Sequence, residues 1–487
     1  MYCLGSRITK KEAESTAVSE TVTSTPEKLA KKKPQATAPD ESSAEESLPQ
    51  NSIVVEPVAP KFPIIKEPID FTKPAEGFPE AADWTETHDY HADQEALAAD
   101  GAIKNLSIQL GDTPEELHLT WFSKSSENGA VTFTTEDGKN LIGLVTTKPS
   151  ISVPGYYQNR AVVSGLEANT YYSYQVANGN AKSPVYSYHA NDPYAKEFSF
   201  TIVSDQEIGI GDEEDNVLER HSNAWRLSLN RMKERIPDSS FILSLGDQVG
   251  ISDQPVQYDA LLDKSVLYST PFLPVVGNHD VGSGFWGDHF YPPNISALGT
   301  AQGNDGDYWF VRGDVLFMII NTDTVQEKDI HETFIAETIA KNQNVKWRVV
   351  ASHYSPASNI EKYQGTRESI LPTFNYIAEK FDIDLFLGAH DHAYTRSYFL
   401  DGEGDPIDAG EGVRGEFHNP DKPLFVVFST ATGSLYREPE GYPWAAVCDQ
   451  GHVPQISYAH VTENSFSIST YHADSWILLD SFTIYKD

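Results

Sequence analysis

Cysteine is almost missing from this sequence: Cys3 and Cys448 are the only two among 487 residues. A pair so placed offers no disulfide framework, and it rules out a thiolate zinc site. Long apolar runs are missing too. No stretch approaches the roughly 18 apolar residues that a transmembrane helix needs. Basic residues are scarce beside acidic ones, with 36 Lys and Arg against 71 Asp and Glu for a formal net charge of −35. Residues 1–60 hold seven basic and nine acidic residues, so nearly all of the excess lies downstream. Such a surface repels nucleic-acid backbones and anionic lipids, which argues against either as a main partner. It turns away small anionic substrates as well, unless a local positive centre such as bound metal draws them in. Met1–Tyr2 leave no room for a signal peptide ahead of Cys3.

What is present divides the chain into four parts. Residues 1–60 are rich in Ser, Thr, Ala, Glu, Lys and Pro without apolar periodicity, and read as a disordered tail. A Cys ahead of such a linker resembles the mature end of a bacterial lipoprotein. That resemblance implies a lipid anchor at Cys3 and an extracellular, periplasmic or surface location. The alternative is an ordinary cysteine in a tail. Residues 61–102 scatter Phe62, Ile64, Ile65, Phe71, Phe78 and Trp84 among prolines, and read as an extended lead-in. Over 103–192, "LSIQL", "LHLTWFS", "AVTFTT", "RAVVSGL" and "TYYSYQVA" are short β runs separated by turn residues, which predicts a small all-β sandwich. From 197 to 487 the pattern becomes strand, loop, helix, strand, with helices predicted near 216–236, 330–342 and 367–381. That predicts an α/β fold, a mixed two-sheet β-sandwich flanked by helices.

The chemistry lies where apolar strands run into polar residues. Five strands end at Asp205, at Asp247, at Asn278–His279–Asp280, at His353, and at His390 with His392. In open α/β sheets the crevice beyond the carboxyl ends of the strands is where ligands bind. Asp, Asn and His delivered to one edge form a donor set of hard oxygen and borderline nitrogen without sulfur, suited to divalent or trivalent metal. Each piece alone has a plainer reading. Asp205 can be a helix cap, Gly246–Asp247 a turn, Asn278 a turn residue, and His279 or His353 a structural histidine. The order D…GD…GNHD…H…GxHxH is what carries the argument.

That order resembles the calcineurin-like metallophosphoesterase superfamily, and within it the purple acid phosphatases and their bacterial relatives. "GAHDHAYTRS" looks like their GHxHxYxR segment, and "GLEANTYYSYQV" sets Leu166, Thr170, Tyr172 and Val176 as in a fibronectin type III tyrosine corner. The resemblance covers 103–487. It implies a fibronectin-like spacer or docking domain before a catalytic domain with two metal ions, Fe, Mn or Zn. Asp205, Asp247 and His392 would hold the first, and Asp247, Asn278, His353 and His390 the second. Independently of family, two such ions about 3.5 Å apart acidify a shared water and clamp an in-line displacement at phosphorus. A metal-bridging hydroxide would then attack, with His279 as general acid and Asp280 holding its tautomer. Tyr394 and Arg396 either contact phosphate or pack behind the site.

Two departures stand out. The first motif reads Asp205-Gln206-Glu207 where many of these enzymes have D-x-H. The position three after Asp247 is Gly250, where purple acid phosphatases carry a tyrosine. A ferric-tyrosinate site is therefore not expected, and Glu207 either fills the gap as a metal ligand or points away. The acidic run 211–216 reads as a solvated helix entry, and 401–412 lacks the spacing of a calcium loop. Specificity is expected from 281–306, with Phe285, Trp286 and Tyr291, and from 432–452, with Tyr436, Tyr442 and Trp444. The leading function is hydrolysis of a small phosphate monoester. The alternatives are a phosphodiesterase on the same centre, or a non-catalytic surface protein with a degenerate site. Nothing in the sequence sets the oligomeric state.

Overall fold

The computed structural model describes residues 103–211, 216–300, 306–324, 328–401, 404–406 and 415–487. The predicted tail 1–60 and lead-in 61–102 lie outside the described residues, as do most of 211–216 and most of 401–412.

The first β region folds as two facing sheets. One has the spatial order Lys104–Leu110, Glu116–Ser123, Tyr157–Ser164, Leu144–Pro149; the other has Asn140–Ile142, Gly129–Thr135, Thr170–Asn178, Ala181–Lys182, with Tyr186–Ala190 also on Thr170–Asn178. Leu117, Leu119, Trp121, Val131, Phe133, Val163 and Tyr174 fill the space between them. Tyr172 Oη accepts from the Glu167 N–H at 2.9 Å, fixing the turn before its strand. The strand Glu116–Ser123 is buried almost throughout rather than on alternate residues. Its second face docks on the following region. His118 stacks on Tyr291 with centroids 3.9 Å apart, and Lys104 and Asn105 both bond Asp259.

The larger region is a sandwich of two seven-stranded sheets. In spatial order the first runs Phe272–Pro274, Ser239–Ser244, Phe198–Val203, Gln455–Val461, Ser465–His472, Leu478–Tyr485, Glu416–His418. The second runs Tyr308–Arg312, Val315–Ile319, Trp347–Ala351, Leu385–Gly388, Leu424–Val427, Tyr394–Ser397, Ala445–Asp449. Helices Val217–Arg235, Lys328–Lys341 and Gln364–Phe381 stand within a few residues of their predicted places. Phe200 and Phe241 of the first sheet meet Phe310 and Phe317 of the second; the Phe200 and Phe317 rings cross edge to face at 5.3 Å. Truncating any one of these rings to alanine should cost about 3–5 kcal/mol, the usual figure for a buried aromatic.

Parallel register sets the functional edge. Val203 pairs with Ser244 and Ser244 with Pro274, so these strands finish level. In the other sheet Ala351 pairs with Leu387. Strands covered on both faces are mostly apolar, and the carboxylates and histidines return where they end. The chain therefore emerges with Asp205, Asp247, Asn278, His353 and His390 at one edge. The hairpin Tyr308–Ile319 and the strand Ala445–Asp449 were not predicted from the sequence.

Candidate metal centre

Asp205, Glu207, Asp247, His390 and His392 all adopt left-handed backbone, with φ of 45°, 39°, 49°, 72° and 53°. That conformation costs a non-glycine residue about 1–3 kcal/mol, so surrounding structure has to impose it. Here the loops lock each other. Asp205 N–H donates to Gly246 O at 3.1 Å, and Glu207 N–H donates to Asp247 O at 2.8 Å. His279 N–H donates to Asp247 Oδ1 at 2.8 Å. A Cβ on Gly277 would collide with the Asp247 carboxylate and backbone, so only glycine lets the two loops approach this closely.

Two clusters of donors result, one of Asp247, His353 and His390 and one of Glu207, Asp247 and His279, each with its ligand atoms within 4.8 Å of one another. Asp247 belongs to both. His353 Nε2 lies 3.0 Å from Asp247 Oδ2, 3.2 Å from Asn278 Oδ1 and 3.2 Å from His390 Nδ1. On the other side His392 Nε2 lies 3.6 Å from Asp205 Oδ1 and 3.5 Å from Glu207 Oε1. His353 Nδ1 faces Leu245 O at 2.9 Å and His392 Nδ1 faces Leu435 O at 3.1 Å. Such bonds fix the ring and leave the other nitrogen for a ligand. Asp205 Oδ1 and Asp247 Oδ2 are buried yet make no hydrogen bond of good geometry. Buried, unsatisfied carboxylate oxygens beside imidazole nitrogens fit a cation rather than a proton network.

The electrostatics ask for positive charge. Burial works against a proton on His353, but the Asp247 carboxylate outweighs it and raises the ring to about 10. His392 is likewise raised to about 9, with Asp205 and Glu207 overcoming burial. Burial lifts the Asp205 carboxyl to about 6, whereas Asp247, equally buried, is held well below the usual range by His353. His390, buried and next to His353, is pushed well down.

Several expectations need correction. Asp280 does not touch the His279 ring. Its carboxylate accepts from the backbone N–H groups of Gly277 at 2.9 Å and Gln248 at 3.0 Å, tying together the loops that carry Asn278 and Asp247. The His279 ring is set instead by Gly250 O, 2.7 Å from its Nδ1. Nε2 then faces the crevice, 3.5 Å from Glu207 Oε1. Glu207 points in, and Ser434 Oγ donates to its Oε2 at 2.9 Å. Tyr394 and Arg396 are not brought to the crevice. Both are buried, and both bond Asp480, Tyr394 Oη at 2.8 Å and Arg396 Nε at 2.7 Å. Asp391, between the two histidines, turns away to Ser358 Oγ and Asn359 N–H. Gly250 leaves no room for a tyrosine, because a Cβ there would sit 2.6 Å from Ile210 N, in the loop that carries Glu207. Trp286 is buried and Tyr291 is spent on His118. The loop after 432 does reach the site, through Ser434, Leu435 and Gln450, none of them foreseen from sequence.

Residues 218–394 match the family described as calcineurin-like phosphoesterase, and residues 103–190 match the purple acid phosphatase N-terminal domain. The first match takes in Asp247, Asn278, His279, His353, His390 and His392 but not Asp205 or Glu207. Among solved structures, purple acid phosphatase PPD1 from seeds of yellow lupin (Lupinus luteus) superposes with a TM-score of 0.64 at 16% identity, covering 80% of this chain and 75% of its own. PhoD superposes with a TM-score of 0.50 at 13% identity, covering 77% of this chain and 91% of its own. At these identities the likeness is one of fold. No curated protein matches the sequence.

Proposed function

We propose that this chain, which carries a calcineurin-like phosphoesterase domain behind a purple acid phosphatase N-terminal domain, hydrolyses phosphate monoesters at a two-metal centre. The observation that carries the reading is Asp247, one carboxylate shared by both donor clusters. Asp205, Glu207, Asp247 and His392 would hold one ion; Asp247, Asn278, His353 and His390 would hold the other. When bound, such a pair supplies a nucleophile from water at neutral pH and neutralises charge at phosphorus.

The chain supplies the rest. His279 keeps Nδ1 on Gly250 O, so a proton on Nε2 points into the crevice. From there it passes to the oxygen of the departing alcohol as a water-derived oxygen bonds to phosphorus and the ester P–O bond breaks, leaving a neutral ring, free alcohol and phosphate. Glu207 Oε1 lies 3.5 Å from Nε2, where it helps to orient the ring. His279 has access to solvent, its side chain 32% exposed against 1% for His353. A proton donor for an outside substrate needs that access.

The test is hydrolysis of nitrophenyl phosphate by manganese-loaded and metal-stripped protein, with bis(nitrophenyl) phosphate in parallel. Metal-dependent turnover favouring the monoester supports the proposal. Preference for the diester moves the chain to phosphodiesterases, and turnover of neither leaves a binding protein.

A further inference from the structure

With Arg396 committed to Asp480, the site has a different guanidinium at its edge. The segment 434–437 is fastened to the donor cluster at three points. Ser434 Oγ donates to Glu207, and His392 Nδ1 meets Leu435 O. Gln450 Nε2 donates to the carbonyls of both His392, at 2.6 Å, and Arg437, at 2.8 Å. Arg437 thus starts from backbone pinned beside a candidate ligand. Its guanidinium carbon lies 5.1 Å from the centre of the Tyr363 ring, and that ring stands 4.0 Å from the His390 ring.

Among the described residues no carboxylate forms an ion pair with Arg437. Its Nε is buried and without a hydrogen-bond partner. In a protein of net charge −35, a half-buried arginine whose guanidinium meets the Tyr363 side chain rather than a carboxylate keeps its charge for an anion that arrives. Two divalent ions facing Asp205, Glu207, Asp247 and an attacking hydroxide make a centre of about zero net charge. A diester brings one negative charge to it and a monoester dianion two, so the monoester gains more from one further cation with a forked donor.

We infer that Arg437 grips the non-bridging oxygens of the terminal phosphate and makes the site favour monoesters over diesters. This rests on the phosphoesterase reading above. Lys362, exposed and 5.3 Å from the Tyr363 ring, is the nearby control, a mobile point charge without the fork.

The experiment compares wild type with Arg437→Met, Arg437→Lys and Lys362→Met, all manganese-loaded. For Arg437→Met, kcat/KM on nitrophenyl phosphate should fall roughly 10–100-fold, the usual range for a lost charged hydrogen bond, and the diester rate less than about 3-fold. Inhibition by inorganic phosphate should weaken by a similar factor, with metal content and melting temperature unchanged. Arg437→Lys should recover part of the loss, and Lys362→Met should lose little. An equal fall on both esters, or unchanged phosphate inhibition, overturns the assignment. If wild type turns over neither ester, the phosphoesterase reading fails separately. Calorimetric binding of inorganic phosphate to loaded wild type and Arg437→Met then still decides the role of Arg437.

Discussion

Loading the site with metal should expel protons, and their number follows from two histidines. His353 and His392 sit at about 10 and about 9 in the metal-free protein, so both rings are protonated at pH 7. Their Nδ1 atoms face the carbonyls of Leu245 and Leu435. The proton in the way of metal is therefore the one on Nε2. Filling both positions at pH 7 should release about two protons from these rings. Asp205, raised to about 6 by burial, adds a fraction more. Apparent affinity for the pair should then fall about 100-fold for each unit of acidification between pH 8 and pH 7. Titrating metal-free protein with manganese in two buffers of different ionisation enthalpy counts the protons directly. Asp247→Asn removes the carboxylate 3.0 Å from His353 Nε2, and should cut the release toward one. The linkage has a definite sign. Folded pKa values above the ordinary 6.5 contribute stability that is complete below that pH and lost as pH rises through 9 and 10. The metal-free protein should lose melting temperature over that alkaline range, and the loaded protein should not. Buffer-independent heats with pH-independent affinity would refute the reasoning.

Three further outcomes are expected. Asp247→Asn should abolish turnover and lower metal content together, more completely than any other single ligand change; an active variant with two metals retained removes the shared-ligand assignment. His279→Ala should lose on the order of 10²–10⁴-fold on alkyl phosphates but much less on nitrophenyl phosphate, whose leaving group needs little help, and parallel leaving-group plots for variant and wild type would end its role as acid. Gly250→Ala should destabilise by roughly 1–3 kcal/mol through overpacking against Ile210 and, by shifting the Glu207 loop, weaken one metal position; unchanged melting temperature and metal stoichiometry count against that coupling.

The strands that deliver the donors were legible because burial on both faces leaves short apolar runs such as "FIL" and "VVA", each followed by a polar residue. The hairpin Tyr308–Ile319 escaped although its turn was in view. Arg312-Gly313-Asp314, with Gly313 at φ 54°, separates the apolar run before it from "VLFMI" after it, a turn signal that the reading of the sequence passed over. Ala445–Asp449 is only partly buried and has no alternation of its own. It is a strand because Tyr394–Ser397 offers it an antiparallel partner, a pairing that no local pattern encodes.

At the site the order of motifs identified the donors but not which way their neighbours face. Asp280 follows His279 directly, and adjacency suggested a shared bond. In a tight turn successive side chains diverge, and the Asp280 oxygens end on the Gly277 and Gln248 amides instead. Tyr394 and Arg396 follow His392 closely, yet what they bind is Asp480, more than 80 residues on, which only the folded sheet brings beside them. Glu207 was left undecided by sequence, because its direction depends on a left-handed residue held by Asp247 O. The missing tyrosine at position 250 and the inward Glu207 are one structural fact. The loop 207–210 packs where a side chain at 250 would begin, with Gly250 N–H donating to Ile208 O at 3.0 Å. Glycine there lets the loop close, and closing the loop turns the Glu207 carboxylate toward His279 and His392.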